Sequence, residues 1–264
     1  MTGRRDLFDE SMRLGHAAAW EMEWDHAIGY YRKALAEFPD EPGALTSLGL
    51  ALLETGQLKE ALPVYRRAAK INPHDPVPVE KCAEVFERLG QNKDAIDQRM
   101  LAAEMHIRLK DADKAIDNWT HVARLEPSNL RVRSRLALAY ERMGRRRQAV
   151  YEYLAVAAIL QQAAKREAAI ESVQRALSLV PGDPEATRSL RLLSQGRDLP
   201  PPSQPKAVTS PLSPRKVPQF VESEEEEPEH AEAADPEAVA QSQALSVLAA
   251  MLFDEPGDDD EADS

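Results

Sequence analysis

The sequence predicts an all-α protein, a solenoid of antiparallel helix pairs followed by an acidic tail of different character. Three observations carry that prediction. A short phrase returns along the chain: Ala27, Tyr31, Ala34 and Pro39 recur as Ala61, Tyr65, Ala68 and Pro73, each member displaced by 34 residues. Aromatic residues make up only 5% of the chain, and long stretches are rich in Ala, Leu, Glu and Arg, which favours helices over strands. The charge is also unevenly divided. Residues 198–264 hold 17 acidic and three basic residues, whereas the first 197 hold 28 and 30, so a near-neutral body precedes a strongly negative segment.

Within each pair the first helix is marked by a small residue at a fixed place: Leu14-Gly15, Leu48-Gly49, Cys82-Ala83 and Leu136-Ala137. Gly56, Gly90 and Gly144 fall where two helices of a pair must turn. Small residues such as Gly49 and Ala61 let antiparallel helices approach closely, Tyr65 fills the space beside them, and Pro73 stops the second helix. Each pair leaves an apolar edge that only the next pair covers, so the pairs stack. On these residues the chain resembles the tetratricopeptide repeat (TPR) family, whose 34-residue unit is a helix-turn-helix. The resemblance covers about residues 7–195 and is strongest in the units starting near Phe8 and Pro42. In the third unit Arg99 stands in place of the aromatic residue and Ile107 in place of the proline. The resemblance implies a TPR solenoid that binds other proteins; the competing reading is a helical bundle with coincidentally placed small residues.

The beat then changes. The alanines that open each second-helix signature are 27, 61, 95, 115, 149 and 169, with intervals of 34, 34, 20, 34 and 20. A shift of 54 residues aligns Ala95 with Ala149, Ala115 with Ala169, Leu125 with Leu179 and Pro127 with Pro181 without a gap, which reads as two three-helix units starting at about residue 95. One long helix in each copy, about 93–109 and 147–163, is expected to serve as the second helix of one pair and the first helix of the next. That sharing would interrupt the inner groove after residue 110. The alternative is an extended second helix followed by a degenerate pair.

After Gly196 the composition shifts. Eight of the 19 prolines lie between 200 and 228, ahead of the acidic block, so residues 196–235 read as a disordered linker. At 236–253 a short amphipathic helix is expected, with Asp235 as its cap and Pro236 at its first position. Ala244, Leu248, Met251 and Leu252 fall on one side of it, and Leu245, Leu248, Met251 and Leu252 are the candidate docking residues. Residues 254–264 form an acidic disordered end. The pairs Ser210-Pro211 and Ser213-Pro214 resemble proline-directed phosphorylation sites, a pattern common in linkers.

Enzymatic chemistry finds no residues to rest on. The sequence has no Gly-rich phosphate loop, no HExxH pair, no GxSxG elbow and no Cys/His set with metal-ligand spacing, so no cofactor or metal is expected. The N-terminal "MTGRRDLFDESM" lacks the apolar run of a signal peptide, no segment has roughly 18–20 apolar residues to span a bilayer, and the single Cys82 cannot form an internal disulfide; a cytoplasmic protein is expected. The stretch 131–147 has seven arginines and one acidic residue, which suits a solvated helix face or a dock for an acidic segment. Nucleic acid is disfavoured there: only Tyr140 offers stacking, and the negative tail repels phosphate.

These readings converge on a non-enzymatic adaptor or assembly scaffold that takes a protein or peptide partner, including its own tail as a candidate ligand. By the family pattern, Met12, His16, Trp20, Thr46, Leu50 and Leu53 would line the groove, with basic Arg131, Arg135 and Arg142 toward its far end. The chaperone-binding TPR subclass uses Lys and Asn at inner positions where this chain has Met12 and His16, so the resemblance does not extend to that clamp. The competing function is a regulatory subunit of an enzyme or transcription complex acting through the acidic C-terminal helix.

Overall fold

The structure, a computed structural model, describes residues 2–200. The helix expected at 236–253 with its docking residues Leu245, Leu248, Met251 and Leu252, the acidic end, and the linker from residue 201 onward lie outside the described residues. Those described form eleven helices and no strand: α1 (Thr2–Trp20), α2 (Trp24–Glu37), α3 (Pro42–Glu54), α4 (Leu58–Ile71), α5 (Pro76–Arg88), α6 (Asn92–Arg108), α7 (Ala112–Leu125), α8 (Leu130–Arg142), α9 (Arg146–Gln162), α10 (Arg166–Leu179) and α11 (Pro184–Ser194). They divide into two compact units, one ending at Met105 and one starting at His106.

Two kinds of junction connect the helices, and local chemistry separates them. After α1, α3, α5, α6, α8, α9 and α11 the chain passes through a residue with φ between +59° and +75°: Met22, Gly56, Gly90, Lys110, Gly144, Ala164 and Gly196. The following amide donates to a carbonyl five residues back, as Gln57 does to Leu52 at 2.8 Å and Asp111 to His106 at 2.9 Å. This is the Schellman closure, and it satisfies the last carbonyls of the helix. Glycine supplies the left-handed backbone without strain at four of the seven positions.

The junctions after α2, α4, α7 and α10 work differently. Each ends on an acidic or amide residue whose side chain caps the next helix: Glu41 accepts from the Ala44 amide at 2.7 Å, Asp75 from Val77 at 2.9 Å, Asn129 from Val132 at 3.1 Å and Asp183 from Ala186 at 2.9 Å. Pro42, Pro76 and Pro184 then open three of those helices, where a missing amide proton is harmless. The α10–α11 junction also has a left-handed glycine, Gly182 at φ +80°, but its following amide makes no five-back bond. Helices α6 and α9, by contrast, have a Schellman closure on both sides and 17 residues each where the helices between α2 and α10 otherwise have 13 or 14. Their closing residues, Lys110 and Ala164, adopt positive φ without being glycine.

Packing in the N-terminal unit rests on two glycines. A Cβ built on Gly15 would lie 2.5 Å from Tyr31 Cε1, and one built on Gly49 would lie 2.6 Å from Tyr65 Cε1. Neither helix face accepts a methyl group, so each tyrosine ring lies directly on helix backbone. Position 99, where the aromatic residue is lost, holds a buried Arg99 whose Nε donates to Glu87 at 2.8 Å. In the C-terminal unit Val150, Ala157, Ala169, Val173, Ala176, Ala186 and Leu193 form one core between α9, α10 and α11. Beside it, Arg133 of α8 and Glu152 of α9 pair at 2.8 Å with exposures of only 0% and 2%.

The expected start of the linker at residue 196 needs correcting. Gly196 closes α11, and residues 197–199 are fastened to α9: Gln161 Nε2 donates to the Arg197 carbonyl and to Asp198 Oδ1, each at 3.0 Å, and Gln161 Oε1 accepts from the Leu199 amide at 2.8 Å. The ordered body also begins at Thr2, earlier than the expected residue 7.

Candidate partner-binding surface

The surface is built from the first helices of the N-terminal unit. On α1, Met12 and His16 are half-buried and Trp20 is 69% exposed, one helical turn apart along one face. The exposed Met22 and Leu7 add further apolar area at this end of the unit. Helix α3 is brought beside α1 at His16, whose Nε2 lies 3.5 Å from Ser47 Oγ. Tyr31 of α2 completes this group: its ring centroid is 5.6 Å from that of His16, and its hydroxyl hydrogen-bonds Ser47. Burial lowers the His16 pKa below its ordinary 6.5, and burial pushes that of Tyr31 up to about 12 against the opposing bond from Ser47. Both rings are therefore neutral at pH 7, and the middle of the face is uncharged.

Following the same positions in steps of 34 gives the order of chemistry along the surface. Met12 maps to Thr46 and Glu80, His16 to Leu50 and Glu84, and Trp20 to Glu54 and Arg88. Thr46 and Leu50 are half-buried, and the Thr46 hydroxyl donates back to the Pro42 carbonyl at 2.9 Å. Leu53 is a correction. Its exposure is 0%, because the residue equivalent to Trp20 is Glu54, while Leu53 falls in register with the buried Ala19 and belongs to the core. At α5 the face becomes ionic. Burial raises the Glu84 carboxyl, but Lys81 and Arg88, each 2.8 Å away, more than reverse this and hold it below its ordinary value. Arg88 also donates to the Leu53 carbonyl at 3.1 Å, tying α5 to the end of α3.

The arginine-rich stretch of the C-terminal unit is not one uniform surface. Arg131 is exposed, whereas Arg135 and Arg142 are half-buried, and the Arg135 guanidinium lies 5.9 Å from the centroid of the buried Trp119 ring. Arg133 is wholly inside, with Nε donating to the Pro127 carbonyl at 3.2 Å in addition to its pairing with Glu152. Tyr140 is buried too, which removes the one stacking platform of the stretch. Arg145, Arg146 and Arg147 remain exposed at the α8–α9 junction.

Sequence reasoning missed Ser47 and the Arg133–Glu152 pair. Ser47 sits beside Leu48-Gly49, the marker of the first helix, and that adjacency was its one available signal. Among the described residues no group of three or more His, Cys, Asp or Glu is placed to hold a metal ion, and no helix is long and apolar enough to cross a membrane.

Comparison with known proteins places these features. The tetratricopeptide repeat model matches residues 13–76, the segment that contains both glycine–tyrosine contacts. Anaphase-promoting complex subunit 3 of Schizosaccharomyces pombe is 25% identical over 153 residues, 53% of this chain and 23% of that protein. Photosystem I assembly protein Ycf3 of Prochlorococcus marinus is 30% identical over 118 residues, 44% of this chain and 65% of that protein. The matches thus span less than two thirds of either relative. The solved structure of MamA aligns with 66% of this chain and 92% of its own, at 15% identity and a TM-score of 0.38. Over residues 13–76, therefore, the chain is similar to the tetratricopeptide repeat family.

Proposed function

We propose that this chain is a non-enzymatic, cytoplasmic adaptor or assembly scaffold, and that a partner segment binds across α1 and α3 on Met12, His16, Trp20, Thr46 and Leu50. TPR folds mediate protein–protein interaction and assembly, and that general role is the starting point. The observation that carries the finer reading is the exposed Trp20 indole beside the neutral His16–Ser47–Tyr31 group. Trp buried against a partner is the commonest kind of energetic anchor, and a neutral hydrogen-bonding ledge beside it orients the segment without a charge to desolvate. The ion-paired Glu84 at the α5 end would then favour polar residues on the partner there. An assembly role is what the name of the Prochlorococcus relative states of that protein, and it agrees with the scaffold reading here.

Affinity capture with the full chain tests the assignment. Partners captured by the wild type are expected to be lost from Trp20→Ala and Leu50→Asp and kept by a chain ending at Pro200. Loss on truncation, with both substitutions silent, would instead support a regulatory subunit acting through its C-terminal segment.

A further inference from the structure

Charge follows the units of the fold. Residues 1–105 hold 13 Lys and Arg and 18 Asp and Glu, residues 106–200 hold 17 and 11, and residues 201–264 hold three and 16. The C-terminal unit is therefore the single positive part of the chain, at +6, and the segment attached to it stands at −13. Within that unit the exposed charge gathers at the start of α9, on Arg145, Arg146 and Arg147. Arg145 pairs with Asp113 at 2.6 Å, while Arg146 and Arg147 make no ion pair among the described residues. Helix α9, like α3, α5 and α8, carries no acidic residue in its first turn. The positive end of its dipole thus adds to the arginines rather than being offset.

The chain departs from a defined place. Gln161 fastens residues 197–199 near the end of α9, fifteen residues from Arg146. At 1.5 Å per residue the two points lie about 22 Å apart along the helix. The 21 residues from 201 to 221 precede Glu222, and a chain of that length reaches on the order of 25 Å. We propose that the acidic run Glu222–Glu229, six glutamates in eight residues, returns along α9 and docks on Arg145, Arg146 and Arg147 of the same molecule. The run has the opposite charge, the reach matches the helix, and the N-terminal unit, at −5, repels it. A short tether raises the local concentration of the run to the millimolar range, which populates a contact that salt then weakens. A stronger anionic partner would have to displace the run to use this surface.

Paramagnetic NMR on the full chain tests the contact. A nitroxide label is attached through Ser223→Cys; the native Cys82 is buried, with its thiol pushed up to about 11 by that burial, so the label goes to the introduced thiol at neutral pH. At low salt the amides of residues 145–150 are expected to lose most of their intensity while those of α2 and α4 keep theirs. The loss should disappear in moderate salt and in the variant carrying Glu224→Gln, Glu225→Gln, Glu226→Gln and Glu227→Gln. Undiminished amides at 145–150, or equal broadening of both units, would overturn the proposal. So would broadening that grows with protein concentration, which would assign the surface to a second copy. No partner is present in this experiment, so its failure leaves the α1–α3 reading untouched.

Discussion

The N-terminal and C-terminal units solve the same packing problem with different chemistry. Where the 34-residue beat is regular, helices lock through bare backbone: Gly15 under Tyr31 and Gly49 under Tyr65. Between α8 and α9, across the 34-residue interval from Ala115 to Ala149, the C-terminal unit uses polar locks. Arg133 and Glu152 are paired out of water, and the Tyr153 hydroxyl donates to Glu141 at 2.6 Å, with Arg175 on the same carboxylate. An apolar lock depends on shape and tolerates salt and pH, whereas a buried ion pair depends on both partners being present. The contrast teaches that one repeat scaffold can exchange steric for electrostatic specificity without changing its helices.

The largest expected effect strikes the polar lock. Glu152→Ala leaves the buried Arg133 charge without its carboxylate and should cost roughly 3–5 kcal/mol. Combining Arg133→Met with Glu152→Leu should restore most of that loss, as measured by denaturant unfolding of the full chain. A single substitution as mild as the double one would show that the pair is not a lock.

The steric lock comes next. Gly49→Ala places a methyl group against the fully buried Tyr65 ring and should cost about 1–3 kcal/mol. Thermal melting reads the difference. Gly29 has open space around its Cβ position and serves as the control: Gly29→Ala should leave stability equal or slightly raised.

Smaller effects belong to the junctions. Gly56→Ala imposes a left-handed backbone on an L residue and should destabilise by roughly 1 kcal/mol, whereas Ala164→Gly relieves such strain and should stabilise by a similar amount. A destabilised Ala164→Gly variant would show that the added unfolded-chain entropy outweighs the strain there.

The smallest concerns acid. The depressed Glu84 pKa means that its stabilising contribution is full above the ordinary 4.5 and is lost as pH falls through the lower folded value. Glu152 has the opposite sign: burial raises its pKa although Arg133 opposes this, so the folded state takes up a proton there first as pH falls. Glu84→Gln should therefore flatten the acid limb of the stability curve in the N-terminal unit, followed by melting between neutral pH and pH of about 3.

Much of this was legible in the sequence, for a definable reason. A 34-residue shift preserves residue type wherever a residue is constrained by its own helix pair, so Gly15, Gly49, Tyr31 and Tyr65 announced themselves. Leu53 was assigned to the groove by the family pattern, whereas the 34-residue shift from Trp20 leads to Glu54. The burial of Arg133 was hidden because seven arginines in a row of turns read as a solvated face, and its partner Glu152 lies 19 residues away in another helix. Local composition carries no signal for such a pair. Nor did Gln161 offer one, since a single amide side chain holding residues 197–199 has no periodic counterpart.

The claim that a partner segment lies across α1 and α3 is tested most directly by hydrogen exchange on the full chain with its captured partner bound. The account predicts slowed exchange at residues 12–20 and 46–54, with α8 and α9 unchanged apart from any release of the acidic run. Unaltered exchange in α1 and α3, with new protection confined to residues 236–253, would contradict it.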